Sequence, residues 1–577
     1  AVARVAAWNG KIYVGTLDGR LIAIDAKTGK QVWSTVTVDQ TKPYTITGAP
    51  RAFKGKIIIG NSGAEYGVRG YVTAYDAETG KKAWRFYITP NPENKPDGEA
   101  SDKILMEKAY STWGDGAWKQ TGGGGTAWDA LVYDPEFNQV LIGTGNPTPW
   151  SWKSRSNNEG DNLFVASVLA VDADTGEYRW HYQETPGDDW DYTSVQPIIL
   201  TDLEINNVKR KVALHAPKNG FFYVIDRSNG KLISAEKFAT VNWAAGIDRE
   251  TGRPVVYDQA RYGITGGDFL AIPGPFGAKN WHPMSFHPKT KLVYIPVQNI
   301  PFGYADDGKF TYTPGHGNWN LAITSAQNAG PQDEPERKIQ AMRTEGYLLA
   351  WDPVAQREVW RVDHGGVASA GVLSTGGNLV FQGSPDGRFV AYRADNGQKV
   401  WSWQGYDGIV AGAMSYMLDG EQYIAVLAGF GGSNALHVPF IKNPKVGTNG
   451  RVLVFKLNGK ASLPDNTKPL GSAIVARESF SDEQVAKGAA LYGNCVFCHG
   501  FGMNTNNMVP DLRRSPVPSD RKMFEAVVLD GILEGRGMPK WGGTLTSEDA
   551  EALRAYIQSR AKVLQRDEEA EQRASAD

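Results

Sequence analysis

Over most of the chain, apolar residues come in short runs that alternate with polar ones and break at glycine-bearing turns. "AIDAKTGKQVW" (23–33), "AYDAETGKKAW" (74–84) and "AVDADTGEYRW" (170–180) share the pattern A-x-D-x-x-T-G-x-x-x-W. Each reads as a strand ending at Ala-x-Asp, a tight turn on Thr-Gly, and a second strand carrying Trp. Weaker copies are "AWDPVAQREVW" (350–360), "AYRADNGQKVW" (391–401) and "VIDRSNGKLIS" (224–234), the last without Trp. Trp33 and Trp84 are 51 residues apart and Trp360 and Trp401 are 41 apart, lengths that suit one four-stranded propeller blade. Hairpins alone also build sandwiches and barrels, but repetition at blade length favours a propeller. Its tryptophans would wedge between blades, each N–H bonded to the adjacent blade. The wider gap from Trp84 to Trp180 implies blades whose signature is lost or interrupted by insertions.

The pattern turns helical near the C-terminus. "SDEQVAKGAALYGN" opens on a Ser/Asp cap, and "LTSEDAEALRAYIQSRAKVL" has apolar residues at helical spacing. The charged end "QRDEEAEQRASAD" is expected to fray. "KLNGKASLPDNTKPLGSA" has Gly, Pro and no apolar period, so it reads as a linker. The predicted domains are a propeller over 1–455, a linker over 456–474 and a helical domain over 475–577.

Between those helices, "NCVFCHG" (494–500) holds both cysteines of the chain. C-x-x-C-H is the attachment signature of a c-type haem. Cys495 and Cys498 lie one turn apart, so both thiols reach the vinyl groups of one porphyrin, and His499 falls beneath the iron. A structural disulfide, a redox C-x-x-C and half a zinc site are the other readings. Zinc lacks its second cysteine pair, and a thioredoxin-like motif would follow a strand of an α/β unit. A low-spin haem needs a sixth ligand, usually Met or His. Met538 sits in the Gly/Pro-rich "GRGMPKWGG", with Met503, Met508 and Met523 as competitors. The region resembles class I cytochromes c, and this resemblance selects Met538. It also matches Pro510 to the proline whose carbonyl orients the haem histidine.

Composition narrows the class. Charged residues are 21%, hydrophobic ones 41%, and the formal net charge is −2, which gives no reason to expect nucleic acid. Sixty-six glycines, 18 tryptophans and 24 tyrosines fit a turn-rich, aromatic-rich β architecture. No apolar run reaches membrane-spanning length. Covalent haem attachment of this kind takes place outside the bacterial cytoplasmic membrane, so the expected location is the periplasm of a Gram-negative bacterium. "AVARVAAWNG" has no apolar core of a signal peptide, so the signal has been removed or the chain starts inside a longer one.

The repeat, "GNSGAEYGVRG", "GGGGTAWD", "DDWDYTS", "HAPKNGFFYVID" and the haem domain, in this order, resemble the quinohaemoprotein alcohol dehydrogenases. The resemblance implies a mostly β chain: an eight-bladed propeller that binds pyrroloquinoline quinone (PQQ) and calcium, followed by an all-α class I cytochrome c. It assigns Trp128 as the floor under the PQQ ring and Thr126, two residues earlier on the same side of a strand, as a hydrogen-bond donor. Thr47, Gly63, Ala64, Asn280 and Trp281 match further cofactor contacts. Lys218 matches the lysine that polarises the quinone oxygens. Arg4 matches an arginine for the cofactor carboxylates, although its neighbours "VARVAAW" depart from the family pattern. Glu65, Asn146 and Asp191 fall on calcium positions, and Asp191 on the general base. Thr193 stands where lanthanide-using relatives carry an additional Asp, which favours calcium. Asp188 and Asp189 are read as capping or solvating the turn.

The implied reaction oxidises a primary or secondary alcohol to aldehyde or ketone by hydride transfer to PQQ. Asp191 takes the proton, calcium acts as Lewis acid, and haem c passes electrons outward. The outside acceptor would be a blue copper protein, a soluble cytochrome c or a quinone, and the protein a monomer. Two departures matter. "GVASAGVLSTGG" (366–377) has Ala368 where relatives have Trp, which puts the substrate in doubt. Relatives also have upstream residues with a PQQ-binding glutamate and a vicinal Cys-Cys disulfide, so an N-terminally incomplete chain is expected. Two alternatives stand beside this reading: a PQQ-dependent hydroxylase or dehydrogenase of a bulkier cyclic, alkaloid or polymeric substrate, and a non-enzymatic propeller scaffold with an electron-carrying cytochrome.

Overall fold

The computed structural model describes residues 5–576 apart from 316–317, 325–344, 365–369, 430–449, 465–470, 501–502 and 504–508. Arg4, Ala368 and Met508 lie outside the described residues. Six four-stranded antiparallel meanders follow one another over 5–36, 51–87, 131–183, 199–237, 285–363 and 372–404, and a three-stranded one covers 414–456. Among the described residues these form a propeller of seven blades, and the eight expected from the resemblance is corrected on this count. Each of the six turn signatures marks one of the first six sheets, and the seventh carries none. The long gap before the third signature is filled by an irregular insertion with short helical turns (88–130), and the described part of the gap before the fifth carries the short strand Phe302–Tyr304 outside the blades, rather than a further blade.

The repeated motif has a physical basis in each blade. Asp25 Oδ1 accepts the Thr28 amide at 2.7 Å and the Thr28 hydroxyl at 2.7 Å, closing the turn between the third and fourth strands. Asp76 does the same with Thr79. The tryptophan that follows docks forward. Trp33, Trp84 and Trp360 donate their ring N–H to Ala77, Ala173 and Ala394 carbonyls of the next blade, at 3.1, 3.3 and 3.2 Å. Trp180 works through a relay: it donates to Gln139 Oε1, whose amide donates to Arg227 O in the following blade.

Strand alternation sends neighbouring residues to opposite interfaces. In Gln139–Gly143, Val140 and Ile142 pack with Ile58 and Val72 of the blade before, while Leu141 packs with Ala213 and Tyr223 of the blade after. Each interface between successive described blades is thus a small apolar core of its own.

Helix Asp482–Leu491 begins the C-terminal part, with a Ser481/Gln484 capping box where the Ser/Asp cap was expected. It crosses helix Ser547–Ala576 so closely that a Cβ on Gly488 would sit 1.9 Å from Ala552 O. Tyr492, Met503, Phe524, Trp541 and Leu553 form the core between them. The last helix runs on through the charged end to Ala576. An ion pair from Arg514 to Glu568 fastens it to the body of this region.

Candidate active site

Three segments at successive blades bring the site together. The first follows strand Lys56–Gly60, where Gly63 (φ 105°) opens a single 3-10 turn, Ala64–Tyr66. A Cβ at 63 would meet Pro43 O at 2.6 Å, so the residue type is fixed by both conformation and space. This turn presents Glu65, whose Oε1 accepts Asn146 Nδ2 at 2.9 Å and Trp150 Nε1 at 3.3 Å. Its main-chain oxygen accepts both the amide and the side chain of Asn320, at 2.9 and 3.0 Å.

The second segment carries Asp191, buried and held at φ 61°. Lys218, after strand Val208–His215, donates to Asp191 Oδ2 at 2.9 Å and to its main-chain oxygen at 3.1 Å. Burial holds the Asp191 carboxyl well above the usual carboxylate range; Lys218 opposes this and the Glu65 charge adds to it. The Glu65–Asn146 pair and the Asp191–Lys218 pair therefore share one electrostatic site.

Around these lie the remaining expected residues. Thr126 is buried and Trp128 half-buried, but in an irregular segment rather than on the strand the spacing suggested. Cβ atoms on Gly48, Gly60 and Gly145 would fall 2.0–2.4 Å from the carbonyls of Trp128, Ala127 and Thr126, so three glycines let this segment lie flat against its neighbours. Ala64 is buried beside Glu65. Thr47 is exposed and hydrogen-bonds Ser62 at 2.7 Å, next to Gly63. Asn280 accepts the Trp281 amide at 2.8 Å and donates to Phe276 O; their loop is tied to Lys218 by Ala278 N on Lys218 O at 2.9 Å. Trp281 stacks on His282, with centroids 4.0 Å apart.

Sequence reasoning missed two contributors. Trp150 stands four residues after Asn146 in "GTGNPTPW" (143–150), so its hydrogen bond to Glu65 had a signal. Asn320 lies between the fourth and fifth turn signatures, outside every repeat, and had none.

In the C-terminal region, Cys498 N and His499 N both donate to Cys495 O, which puts the two sulfurs and the imidazole on one turn. The two sulfurs are not paired with each other in this structure. His499 is buried, and its Nδ1 meets Pro510 O at 3.1 Å, the orientation expected of that proline, leaving Nε2 for iron. Burial lowers the His499 pKa, the Pro510 carbonyl opposing. Met538 is half-buried at the edge of this core, Met503 is fully buried within it, and Met523 is exposed. Tyr66, beside Glu65 and edge-on to Trp319, is pushed up to about 12 by burial, then by the Glu65 and Cys498 charges.

This donor set fits the groups implied. Two carboxylates and an amide are hard oxygen donors, and the like charges of Glu65 and Asp191 are what a divalent cation would relieve. The ammonium of Lys218 and the glycine-flattened segment at 126–128 suit a planar anionic cofactor.

The family described as glucose/ethanol/alcohol dehydrogenase, beta-propeller domain (PQQ) matches residues 3–241 and 336–424. The cytochrome c oxidase, cbb3-type, subunit III family matches 483–557. Quinohemoprotein alcohol dehydrogenase ADH IIB of Pseudomonas putida is 48% identical, over 96% of this chain and 79% of its own. The quinohemoprotein alcohol dehydrogenase of Comamonas testosteroni is 47% identical, over 97% and 78%. Among solved structures, the ADHIIG enzyme of Pseudomonas putida HK5 superposes with a TM-score of 0.92 at 44% identity, covering 97% of this chain and 82% of that one. A europium-containing methanol dehydrogenase gives 0.64 at 34% identity, over 74% and 73%. With both its propeller and its haem region matched in this way, the chain belongs to the quinohaemoprotein alcohol dehydrogenases, PQQ-dependent alcohol oxidoreductases that carry haem c.

Proposed function

We propose that this chain works in the periplasm on a primary or secondary alcohol, with Asp191 as general base. The observation that carries the reading is the Lys218–Asp191 pair at 2.9 Å beside the Glu65–Asn146 pair at 2.9 Å. When bound, PQQ supplies the hydride acceptor, calcium the Lewis acid that polarises it, and haem c the one-electron outlet.

The residues divide the remaining work. Lys218 engages Oδ2 and the main-chain oxygen of Asp191, and Oδ1 has no protein partner among the described residues. That oxygen is the one to accept the hydroxyl proton. Burial raises the proton affinity of Asp191, and Lys218 opposes it. Glu65, Asn146 and Asp191 would hold calcium. Thr193 is buried, accepts Gln196 Nε2 at 3.2 Å and brings no third carboxylate, which favours calcium over a lanthanide.

Lys218, Thr126, Trp128, Asn280 and Trp281 would hold PQQ, with Gly63 and Ala64 of the Glu65 turn, Thr47 and Arg4 in the same set. Cys495 and Cys498 would hold the haem, His499 and Met538 its iron. Electrons then pass to an external carrier. The assigned domains remain 1–455, 456–474 and 475–577, the first binding PQQ, the last haem, with the chain acting as a monomer.

The test is reconstitution with PQQ and calcium, followed by haem reduction with ethanol, butanol, benzyl alcohol and bulkier alcohols. Reduction by at least one simple alcohol, abolished in Asp191→Asn, is the expected result. A protein that acquires PQQ and calcium yet reduces its haem with none of them refutes the reading.

A further inference from the structure

Asp191 is a non-glycine residue at φ 61°, a backbone conformation that persists only where the surroundings over-determine it. Lys218 and Thr193 N both donate to the Asp191 main-chain oxygen, at 3.1 and 3.0 Å, and one side chain holds the amides on either side of it. Asp188 Oδ1 accepts the Trp190 amide at 3.0 Å, and Asp188 Oδ2 accepts the Tyr192 amide at 2.9 Å. The carboxylate thus takes the N–H on each side of Asp191 and none of its own.

We propose that Asp188 is a positioning residue for the alcohol oxidation: it brackets Asp191 and fixes the backbone conformation from which that carboxylate faces Lys218. This rests on the reading of Asp191 as general base.

Three observations separate Asp188 from an ordinary turn cap. It is fully buried, so it does not solvate the turn. Its carboxylate oxygens are directed at the backbone; Arg155 approaches only its main-chain oxygen, at 2.7 Å. Its neighbour does a different job: Asp189 accepts the Trp152 amide at 2.6 Å and pairs with Arg261, which lies between the Trp152 and Trp190 rings. Asp189 anchors the loop to another segment, while Asp188 shapes the loop upon itself. The flanks are locked as well, Trp190 O accepting the Tyr304 hydroxyl at 2.8 Å and Tyr192 donating to Pro273 O. With the flanks fixed, the geometry at 191 is set by the bracket between them.

Asparagine at 188 keeps the shape but turns one acceptor into a donor facing an amide N–H, so one arm opens. The experiment uses holoenzyme loaded with PQQ, calcium and haem. It measures kcat, KM, the pH profile of kcat and the isotope effect with α-deuterated ethanol. Affinity for PQQ is read separately, by tryptophan quenching of protein stripped of cofactor.

For Asp188→Asn we expect PQQ affinity and KM within about threefold of the parent and kcat lower by about 100-fold, the usual cost of a misplacement near 1 Å. The pH profile should also move and the isotope effect grow. Asp189→Asn should lower stability and leave the pH profile in place.

Asp188→Asn with the parental kcat and pH profile, while Asp191→Asn is inactive, overturns the bracket alone. Asp191→Asn with parental kcat overturns the underlying reading and the bracket together. If Asp188→Asn does not fold, amide exchange in the parent decides: slow exchange at both 190 and 192 supports the bracket, and exchange at the rate of open loop amides overturns it.

Discussion

The turn glycines of the repeat allow a prediction with an internal control. Gly176, in the third blade, has φ +76°, and a Cβ there would lie 2.6 Å from Cδ2 of Trp84, the docking tryptophan of the second blade. Gly80, Gly230 and Gly397 sit in the same way beneath Trp33, Trp180 and Trp360. Gly29 holds the equivalent turn position in the first blade at φ +69°, with no atom within 4 Å of the added Cβ. Both Gly29→Ala and Gly176→Ala therefore bear the left-handed strain, about 1–2 kcal/mol. Only Gly176→Ala also overpacks the indole, about 1–3 kcal/mol more. Pushing Trp84 aside is no escape, because it gives up the ring N–H bond to Ala173 O and its place among Phe53, Ile58 and Phe86. Urea midpoints of tryptophan fluorescence on the full chain, at unchanged m, measure the difference. In a Trp84→Ala background the excess should vanish, so that Gly176→Ala costs what Gly29→Ala costs. Equal destabilisation of the two single variants in the parent chain would refute the docking argument.

Other outcomes follow from the site and its surroundings. Asp191→Asn should lower kcat by about 10²–10⁴-fold while its haem remains reducible by dithionite. Stripping calcium with a chelator should abolish alcohol-driven haem reduction and readdition restore it, with Glu65→Gln requiring more calcium than the parent. Met538→Ala should convert the oxidised haem from low to high spin; Met503→Ala, which removes a fully buried core side chain, should cost about 2–5 kcal/mol of stability and leave the spin state alone. His181 is lowered from 6.5 to about 4, chiefly by burial. A base depressed in the folded state contributes stability that is full above its unfolded value and lost as pH falls. Unfolding midpoints of the parent and His181→Gln should therefore diverge below pH 6.5, by about 3 kcal/mol at pH 4.

The features legible from the sequence were those written in local chemistry. An Asp-to-Thr turn followed by Trp repeats because the same hydrogen bonds recur in blade after blade, and the C-x-x-C-H turn carries its own geometry. Blade number was not local. The signature marks six sheets, the seventh lacks it, and the long gap before Trp180 is an insertion, so a count borrowed from a resemblance overshot. Trp128 and Thr126 were placed on a strand by their spacing, but three glycines from other segments hold them in an irregular path. Asp188 was legible as a turn residue and not as a buried one, because its loop is packed by Trp243 and Tyr304, which meet Trp190 and Tyr192 from far along the chain. Asn320 belongs to no pattern, and only the folded chain reveals its partner.

That last contact sets an order in time. The oxygen of Glu65 is satisfied by a residue 255 positions downstream, and the site also draws on residues 146, 191 and 218. A nascent chain that has completed its first four blades still lacks the piece that closes the Glu65 turn. The Glu65 turn is consequently finished only when the segment carrying Asn320 arrives, so this corner of the molecule matures after the blades that flank it.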